Sequence, residues 1–230
     1  IENVPGLISA ANGFAVKSIY KSFSDLKYKI HHMILYAAHY GVPQMRWRTV
    51  FLASRNDIVL PSFPLPTHHA NGIANFTGGK QLCFKTSKSK DLFNGDLLWY
   101  VTVKDAISDL PALANGEGCE EMAYIFPPKS DYQKEARKHS EVIWNHRAPK
   151  VHEINLKRMK YVKPGGSWRD IPYQLLPKGL KRARRSDHTR RYGRLDPDGL
   201  STTIMTKCDP HWGTFFHYGQ NRVITVREAA

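Results

Sequence analysis

The stretch Tyr40-Gly-Val-Pro-Gln44-Met-Arg46-Trp-Arg48-Thr49-Val-Phe-Leu-Ala53 decides the fold of this 230-residue chain. Its Gly41-Val-Pro43 segment is typical of a loop, because glycine and proline favour turn conformations. The run Thr49-Val-Phe-Leu-Ala53 is short and apolar, as in a buried strand. Arg46 and Arg48 stand two residues apart where that strand opens, so both side chains point to one face of an extended chain.

The residues before this stretch predict further elements of an α/β sheet. Residues 29–37 form a strand candidate, and residues 14–26 carry apolar side chains at close to helical spacing. Ile1-Glu2-Asn3-Val4 resembles the end of an earlier strand, with a turn at Pro5-Gly6 after it. The order strand, helix, strand, loop, strand indicates part of a doubly wound (Rossmann-like) sheet.

The middle of the chain predicts a separate, loop-rich α+β lobe. Short apolar runs there alternate with glycine, proline and charge, and helices are predicted only at residues 103–110 and 152–161. From residue 191 the chain becomes strand-like again, over residues 200–206 and 222–226, and then begins a helix. The predicted division has three parts, namely residues 1–60, 61–190 and 191–230.

The charge of the chain indicates a polyanionic partner. The net charge is +14, and from Trp144 to Arg227 there are 18 Lys or Arg against 6 Asp or Glu. One basic half beside a near-neutral half suggests a single electrostatic face, for which nucleic acid is the default partner. The alternative is a soluble basic protein without such a partner.

The cysteines favour a reducing compartment. Cys83, Cys119 and Cys208 are few and far apart, which argues against a disulfide framework and against a zinc site, so no metal is predicted. No apolar run reaches membrane-spanning length, and no membrane partner is expected. The chain does not begin with Met, and both ends fall inside predicted elements, so we expect it to be part of a longer protein.

Two segments carry candidate catalytic chemistry. Glu2 lies at a strand end, where α/β folds place their ligands, and a carboxylate there can bind a base edge or protonate a ring nitrogen. Arg46 and Arg48 on one face form a site for phosphate or for a pyrimidine carbonyl. Taken singly, a solvated Glu and a pair of exposed strand arginines are the commoner explanations of these residues.

A third segment completes an ordered set of motifs. It comprises Tyr192-Gly-Arg194-Leu-Asp-Pro-Asp198-Gly-Leu-Ser201-Thr-Thr203-Ile, in which Asp-Pro-Asp-Gly predicts a turn, and the terminal Val226-Arg-Glu-Ala-Ala230. Together with Glu2-Asn-Val4 and Gln44-Met-Arg46-Trp-Arg48, these blocks follow the order and spacing of the DNA (cytosine-5)-methyltransferases. The sequence resembles that family over essentially the whole chain, and its compact spacing resembles the bacterial modification enzymes.

The resemblance implies methyl transfer from S-adenosylmethionine to C5 of a cytosine flipped out of double-stranded DNA. It implies that Glu2 holds the ring-nitrogen edge of the base and that Arg48 bonds the cytosine O2. Arg46 is implied to stabilise the active-site loop, and Asn3 and Gln44 to support their motifs. Residues 61–190, including Gly165-Gly-Ser-Trp168-Arg-Asp170, fall where the family keeps its target-recognition domain.

In the same frame, a basic stretch faces the DNA phosphates. Its members are Lys181, Arg182, Arg184, Arg185, Arg190 and Arg191. A solvated basic loop is the alternative. The resemblance implies a role in DNA methylation and, in a bacterium, in restriction–modification. The expected location is the cytoplasm (nucleoid) if the protein is bacterial and the nucleus if it is eukaryotic.

The family's glycine-rich cofactor loop and its Pro-Cys nucleophile belong before the Glu-Asn-Val block. None of the three cysteines here follows a proline. We therefore expect the chain to be inactive alone, to lack most of the cofactor pocket, and to need an N-terminal part of the same or a split methyltransferase. Two alternatives stay open: a non-catalytic DNA-binding module derived from a methyltransferase, and an unrelated basic α/β nucleic-acid-binding protein.

Overall fold

The computed structural model describes residues 1–75, 81–84 and 97–230. These residues form two compact units, which comprise residues 1–100 and 101–230. Residues 191–230 lie in the same unit as residues 101–190. The predicted functional boundaries at residues 60 and 190 stay predictions.

The first unit contains one α-helix, three short 3-10 helices and eight strands among its described residues. The α-helix is α1 (Phe14–Asp25). The strands are β1 (Glu2–Asn3), β2 (Tyr28–Tyr36), β3 (Gln44–Met45), β4 (Trp47–Arg55), β5 (His68–His69), β6 (Gly72–Asn75), β7 (Gln81–Phe84) and β8 (Leu98–Trp99).

The main sheet has the order β1-β4-β2, and β4 is antiparallel to both neighbours. Strands β1 and β2 therefore run in the same direction, and α1 connects them. The predicted helix and strands at residues 14–26, 29–37 and 49–53 are present with ends shifted by a few residues. The sequence did not show that the last strand inserts between the other two.

Alternate side chains of this sheet lie on two faces. His32 of β2 stacks on Phe51 of β4. A hydrogen bond of 2.8 Å joins Nδ1 of His32 to the hydroxyl group of Tyr20 in α1, so α1 packs on that face. The opposite face carries Val50 and Arg48, which pair in register with Met33 and Leu35 of β2. Few side chains of this unit are fully buried, Tyr36 and Phe51 among them.

The second unit is built from short elements and many turns. Its helices are α2 (Val103–Ile107), α3 (Asp131–Ala136), α4 (Glu153–Met159) and α5 (Val226–Ala229). Its strands are β9 (Gly118–Ala123), β10 (Val142–Arg147), β11 (Gly193–Arg194), β12 (Ser201–Thr202) and β13 (Thr214–Phe216).

Most of the buried apolar side chains belong to one cluster in this unit. It joins α2 and α4 to the strands β11 and β13 and includes Met159, Trp168, Tyr192, Phe215 and Phe216. The strands β11 and β13 are parallel, and β9 and β10 form an antiparallel pair. The core therefore draws on segments that are far apart in the sequence.

Arg194 ties these segments together. All five of its guanidinium N–H groups have acceptors within the second unit, and the residue is 5% exposed. The acceptors are the carbonyls of Met159 (2.6 Å), Val162 (2.7 Å), His217 (2.6 Å) and Gln220 (2.9 Å) and Oδ1 of Asn221 (2.8 Å). Arg194 is thus a structural residue of the Arg-Leu-Asp-Pro-Asp-Gly block.

A buried ion pair anchors the end of the same unit. Arg222 donates to Oε2 and Oε1 of Glu228 at 2.7 and 2.6 Å, and both side chains are inaccessible to solvent. His217 Nε2 lies 3.7 Å from Oε1 of Glu228. Burial lowers the pKa of His217 to about 4, against the raising effect of Glu228, so His217 is neutral at pH 7.

The second unit is expected to lose stability as the pH falls from about 6.5 to about 4. In this range the unfolded chain binds a proton at His217 and the folded chain does not, which costs about 3 kcal/mol. The pKa of Glu228 is also lowered, because Arg222 outweighs the raising effect of burial, so its stabilisation declines on acidification as well. Urea titrations at pH 7.5, 5.5 and 4.5 measure how the free energy of unfolding changes with pH. This change should be smaller in His217→Asn, and an unchanged pH dependence in that variant contradicts the assignment of the effect to His217.

Three sequence predictions for this unit need correction. Residues 222–226 were predicted as a strand, but only an isolated bridge joins Val223 to Phe216, and α5 begins at Val226. Thr225 and Glu228 form a capping box, so the local polar contacts end the extended run. The helix predicted to reach residue 110 stops at Ile107, and the extended run predicted over 200–206 is a strand only at Ser201–Thr202. The turn predicted at Asp196–Gly199 is confirmed by the hydrogen bond from the Gly199 N–H to the Asp196 carbonyl.

In the part of the chain that the structure describes, no helix has the length and apolar character needed to cross a membrane.

Candidate functional site

The sheet of the first unit brings Glu2 to the arginine pair. Glu2 of β1 is in register with Val50 of β4, so it shares a face with every second residue of β4. Arg48 is two residues before Val50 and lies on that face. Arg46 and Arg48 were predicted to share one face, and in the structure both contact the Glu2 carboxylate, a contact that the spacing alone did not predict.

The contacts converge on one oxygen atom. Arg48 Nε lies 2.5 Å from Glu2 Oε1, and Arg46 Nη2 lies 3.8 Å from the same atom. The Arg48 side chain is 21% exposed and that of Glu2 is 54% exposed. Among the described residues, no hydrogen bond or ion pair engages Glu2 Oε2, and more than half of the Glu2 side chain is exposed.

Arg48 has a second anchor. Its Nη1 donates a hydrogen bond of 2.8 Å to the carbonyl of Trp47. A guanidinium held at both Nε and Nη1 keeps a fixed orientation, which a lysine with its single ammonium group cannot reproduce. The arrangement presents a carboxylate and a planar cation side by side at one end of the sheet.

Asn3 and Gln44 make local contacts. Oδ1 of Asn3 accepts a hydrogen bond of 2.8 Å from the Val4 N–H, which fixes the turn after β1. The carbonyl of Gln44 accepts a hydrogen bond of 2.8 Å from the Arg46 N–H. Both residues thus shape the backbone beside the three charged groups.

The predicted DNA-binding residues lie in the second unit, and they form two groups. Lys181, Arg182, Arg184 and Arg185 are exposed. Lys181 Nζ lies 5.1 Å from the centre of the Tyr173 ring, and Arg185 donates to the carbonyl of Arg169 at 3.4 Å. These residues form a charged surface without acidic partners in the ion pairs of the described chain.

Arg190 and Arg191 belong to a loop whose backbone carbonyls accept hydrogen bonds from other segments of the unit. Trp168 donates its indole N–H to the carbonyl of His188 (3.1 Å) and its backbone N–H to that of Arg191 (2.9 Å). Thr214 Oγ1 donates to the carbonyl of Arg190 at 3.3 Å. Because these carbonyls bond to the folded interior, the loop backbone is held in place.

Trp212 is a candidate residue that sequence reasoning missed. It is 59% exposed, and the Arg191 guanidinium lies 4.9 Å from the centre of its ring. Trp212 and the loop line a cavity of about 350 Å³, together with His188, Thr189, Arg190 and Arg191. The pairing of Gly193 with Thr214 brings the loop of Arg191 and the loop of Trp212 together. In the sequence, the one indication of a role for Trp212 was an aromatic residue within a Pro-His-Trp-Gly turn.

Comparison with known proteins identifies the family. The family model of C-5 cytosine-specific DNA methylases matches residues 1–230. The chain belongs to this family. The predicted recognition is therefore confirmed.

Relatives of the methylase chain occur in plants and in bacteria. "DNA (cytosine-5)-methyltransferase 2" of Arabidopsis thaliana is 31% identical over 248 residues, which are 100% of this chain and 16% of that protein. The "Type II methylase M.HgiDII" of Herpetosiphon aurantiacus is 27% identical over 233 residues, 100% of this chain and 51% of that protein. The chain thus spans about a sixth of the plant relative and about half of the bacterial one, and the predicted bacterial character stays a prediction.

A solved structure supports the fold. The crystal structure from E. coli, described as a DNA modification methyltransferase encoded within a prophage, matches with a TM-score of 0.56 at 20% identity. The match covers 100% of this chain and 56% of that one. The predicted α/β methyltransferase fold is confirmed.

Proposed function

We propose that this chain acts in cytosine-5 methylation of double-stranded DNA, with S-adenosylmethionine as the methyl donor of the complete enzyme. The observation that carries the proposal is the contact of Arg48 and Arg46 with a single oxygen of Glu2 at the end of β1 and β4. A protein that only binds DNA needs neither an exposed carboxylate nor its rigid arginine partner. Both groups suit the polar edge of a cytosine.

Their chemistry follows from their donors and acceptors. The free oxygen of Glu2 accepts from the base edge or, when protonated, donates to the ring nitrogen. Protonation of that nitrogen makes C6 of cytosine more electrophilic and so favours attack by a thiolate. The Arg48 guanidinium donates to the O2 carbonyl, and it keeps Glu2 oriented at the same time.

The attacking thiolate requires a cysteine that these 230 residues do not supply in a Pro-Cys block. Cys119 and Cys208 are free thiols, and burial raises the pKa of Cys208, which disfavours its thiolate. We propose that an N-terminal part of the same chain or of a split enzyme carries the nucleophile and the cofactor loop. The chain is then inactive without that part.

A methyl-transfer assay tests this function. The chain is mixed with a supplied piece that carries the glycine-rich and Pro-Cys blocks of a relative, and labelled methyl transfer to duplex DNA is measured. We expect 5-methylcytosine in the mixture and none with either piece alone. DNA binding in the mixture without any methyl transfer contradicts the proposal and favours the alternative, a non-catalytic DNA-binding module.

The exposed basic residues are proposed to contact DNA phosphates, and Trp212 to contact a base. In a plot of the logarithm of the DNA-binding constant against the logarithm of the salt concentration, Arg182→Gln and Arg184→Gln are each expected to make the slope less steep. The expected reduction is about 0.9 for each phosphate that the variant no longer binds. Trp212→Ala is expected to weaken binding by about 1–3 kcal/mol with the slope unchanged, because stacking releases no counterions. Fluorescence anisotropy at 50–200 mM salt, a range over which such contacts change affinity by roughly 10³–10⁵, distinguishes the two effects.

Lys138→Gln is the control for these variants. Lys138 is exposed on the second unit but pairs with Glu135 at 2.9 Å, away from the basic stretch in sequence. If Lys138→Gln changes the slope as much as Arg182→Gln does, the basic stretch has no special role.

The proposed setting is DNA modification in the bacterial cytoplasm or nucleoid, or in the nucleus of a eukaryotic host.

A further inference from the structure

An aromatic stack lies directly beside the candidate site. The rings of Tyr36 and Trp47 are 3.9 Å apart between centres and nearly parallel, at 7°. Tyr36 is 1% exposed and is in register with Trp47 across β2 and β4. Trp47 is the residue between Arg46 and Arg48, so the stack fixes the centre of the arginine motif.

Two further residues hold the stack. His39 packs its ring edge-on against Tyr36 at 5.2 Å, and its Nε2 lies 3.0 Å from the carbonyl of Ala70. Burial lowers the pKa of His39, which keeps this ring neutral at pH 7. Gly72 closes the other side, since a Cβ there would lie 2.8 Å from Cζ2 of Trp47 and 2.9 Å from Cε1 of Tyr36.

The backbone on both sides of the Trp47 ring is tied to specific partners. The carbonyl of Arg46 accepts a hydrogen bond of 2.9 Å from the Ala37 N–H. The carbonyl of Trp47 accepts the 2.8 Å hydrogen bond from Nη1 of Arg48. The Trp47 ring and the Trp47 carbonyl belong to the same residue, so the packing that fixes the ring also fixes the direction of the carbonyl that Arg48 contacts.

We propose that Trp47, held by Tyr36 and Gly72, is a positioning residue that sets the orientation of the Arg48 guanidinium toward Glu2. This inference rests on the proposed function, because the orientation of Arg48 affects a reaction only if Arg48 and Glu2 hold the base. Arginine has several rotatable bonds, and one contact with a half-exposed carboxylate leaves many of its conformations open. The second contact, to the Trp47 carbonyl, selects the conformation that directs Nε at Glu2.

Three substitutions test the stack without removing a charged group. Trp47→Phe keeps a flat ring opposite Tyr36, and Trp47→Leu removes it. Gly72→Ala leaves both rings in the sequence and adds a methyl group where the rings lie too close for one. Trp99→Leu is the matched control, because Trp99 belongs to the same unit and is 77% exposed.

The direct readout is the side-chain Nε–H signal of Arg48 in ¹H–¹⁵N NMR spectra of the full chain, assigned by its loss in Arg48→Lys. We expect a slowly exchanging signal in the unsubstituted chain, in Trp47→Phe and in Trp99→Leu. In Trp47→Leu and Gly72→Ala we expect this signal to move to the position of a free arginine and to exchange rapidly. Retention of the protected signal in both variants overturns the proposal. If the backbone amide signals of Trp47→Leu lose their dispersion, that variant is unfolded, and the result for Gly72→Ala alone then tests the proposal.

Kinetics in the reconstituted mixture supply the second readout. A misplaced Arg48 is expected to lower kcat by about 10- to 100-fold and to leave KM for DNA unchanged. A purely structural defect alters DNA binding and the active fraction, and Trp47→Phe does not rescue it selectively. If the NMR signal responds as expected but the unsubstituted mixture transfers no methyl group, the proposed function has failed while the positioning of Arg48 has held.

Discussion

The substitution Glu228→Gln is expected to lower the free energy of unfolding of the second unit by about 3–5 kcal/mol. Glu228 meets Arg222 through two hydrogen bonds, and the two side chains are 1% and 0% exposed. A glutamine has nearly the same shape but no charge. The Arg222 guanidinium then stays charged in the interior without the partner that offsets its desolvation.

The glutamine also weakens the start of α5. Glu228 accepts the Thr225 N–H at 2.8 Å and donates its own N–H to Oγ1 of Thr225 at 3.1 Å. The neutral amide retains part of this capping box, so most of the expected loss comes from Arg222. That separation makes Glu228→Gln a more informative change than Glu228→Ala.

Urea unfolding followed by circular dichroism measures the effect. Glu135→Gln is the control, since Glu135 pairs with Lys138 on the surface and such pairs contribute little. The double substitution Arg222→Met with Glu228→Gln is expected to recover part of the loss, because it removes the unpaired charge. A Glu228→Gln midpoint that matches the control contradicts the assignment of this pair as an anchor.

The local chemistry of the candidate site could be predicted from the sequence. Arg46 and Arg48 are two residues apart before a strand, and period-two geometry alone places them on one face. The order of the motif blocks then linked them to Glu2, which is 44 and 46 positions away. Residue type and spacing were sufficient, because each step depends on a single strand or on a family pattern.

The rest depends on contacts between distant segments. Arg194 and Arg190 are both arginines of the basic half, but Arg194 is buried with five acceptors and Arg190 is exposed. The difference arises from β11, whose partner β13 lies about twenty residues later in the chain. The same pairing brings Trp212 beside Arg191, and no local pattern contains that information.

Methyl transfer in the reconstituted enzyme is expected to fall by about 10²–10⁴-fold in Glu2→Gln, the usual contribution of a general acid or base. The amide cannot supply the proton that the base requires, and it gives up the charge-assisted contact at 2.5 Å with Arg48. Arg48→Lys is expected to cost about 10²-fold, the scale of one preorganised donor. A lysine ammonium cannot bind Glu2 and the Trp47 carbonyl in the planar geometry of a guanidinium.

The strand itself supplies the matched controls. Arg55 and Asp57 form an exposed ion pair at 2.7 Å at the far end of β4, so Arg55→Lys and Asp57→Asn change the same chemical groups away from Glu2. These controls are expected to leave kcat unchanged, and all four variants are expected to keep the salt dependence of DNA binding. Equal losses in the Glu2 and Asp57 variants, or full activity in Glu2→Gln, contradict the catalytic assignment. A loss confined to Glu2→Gln and Arg48→Lys locates the reaction at the Glu2 carboxylate and its Arg48 partner, because only those variants disturb that contact.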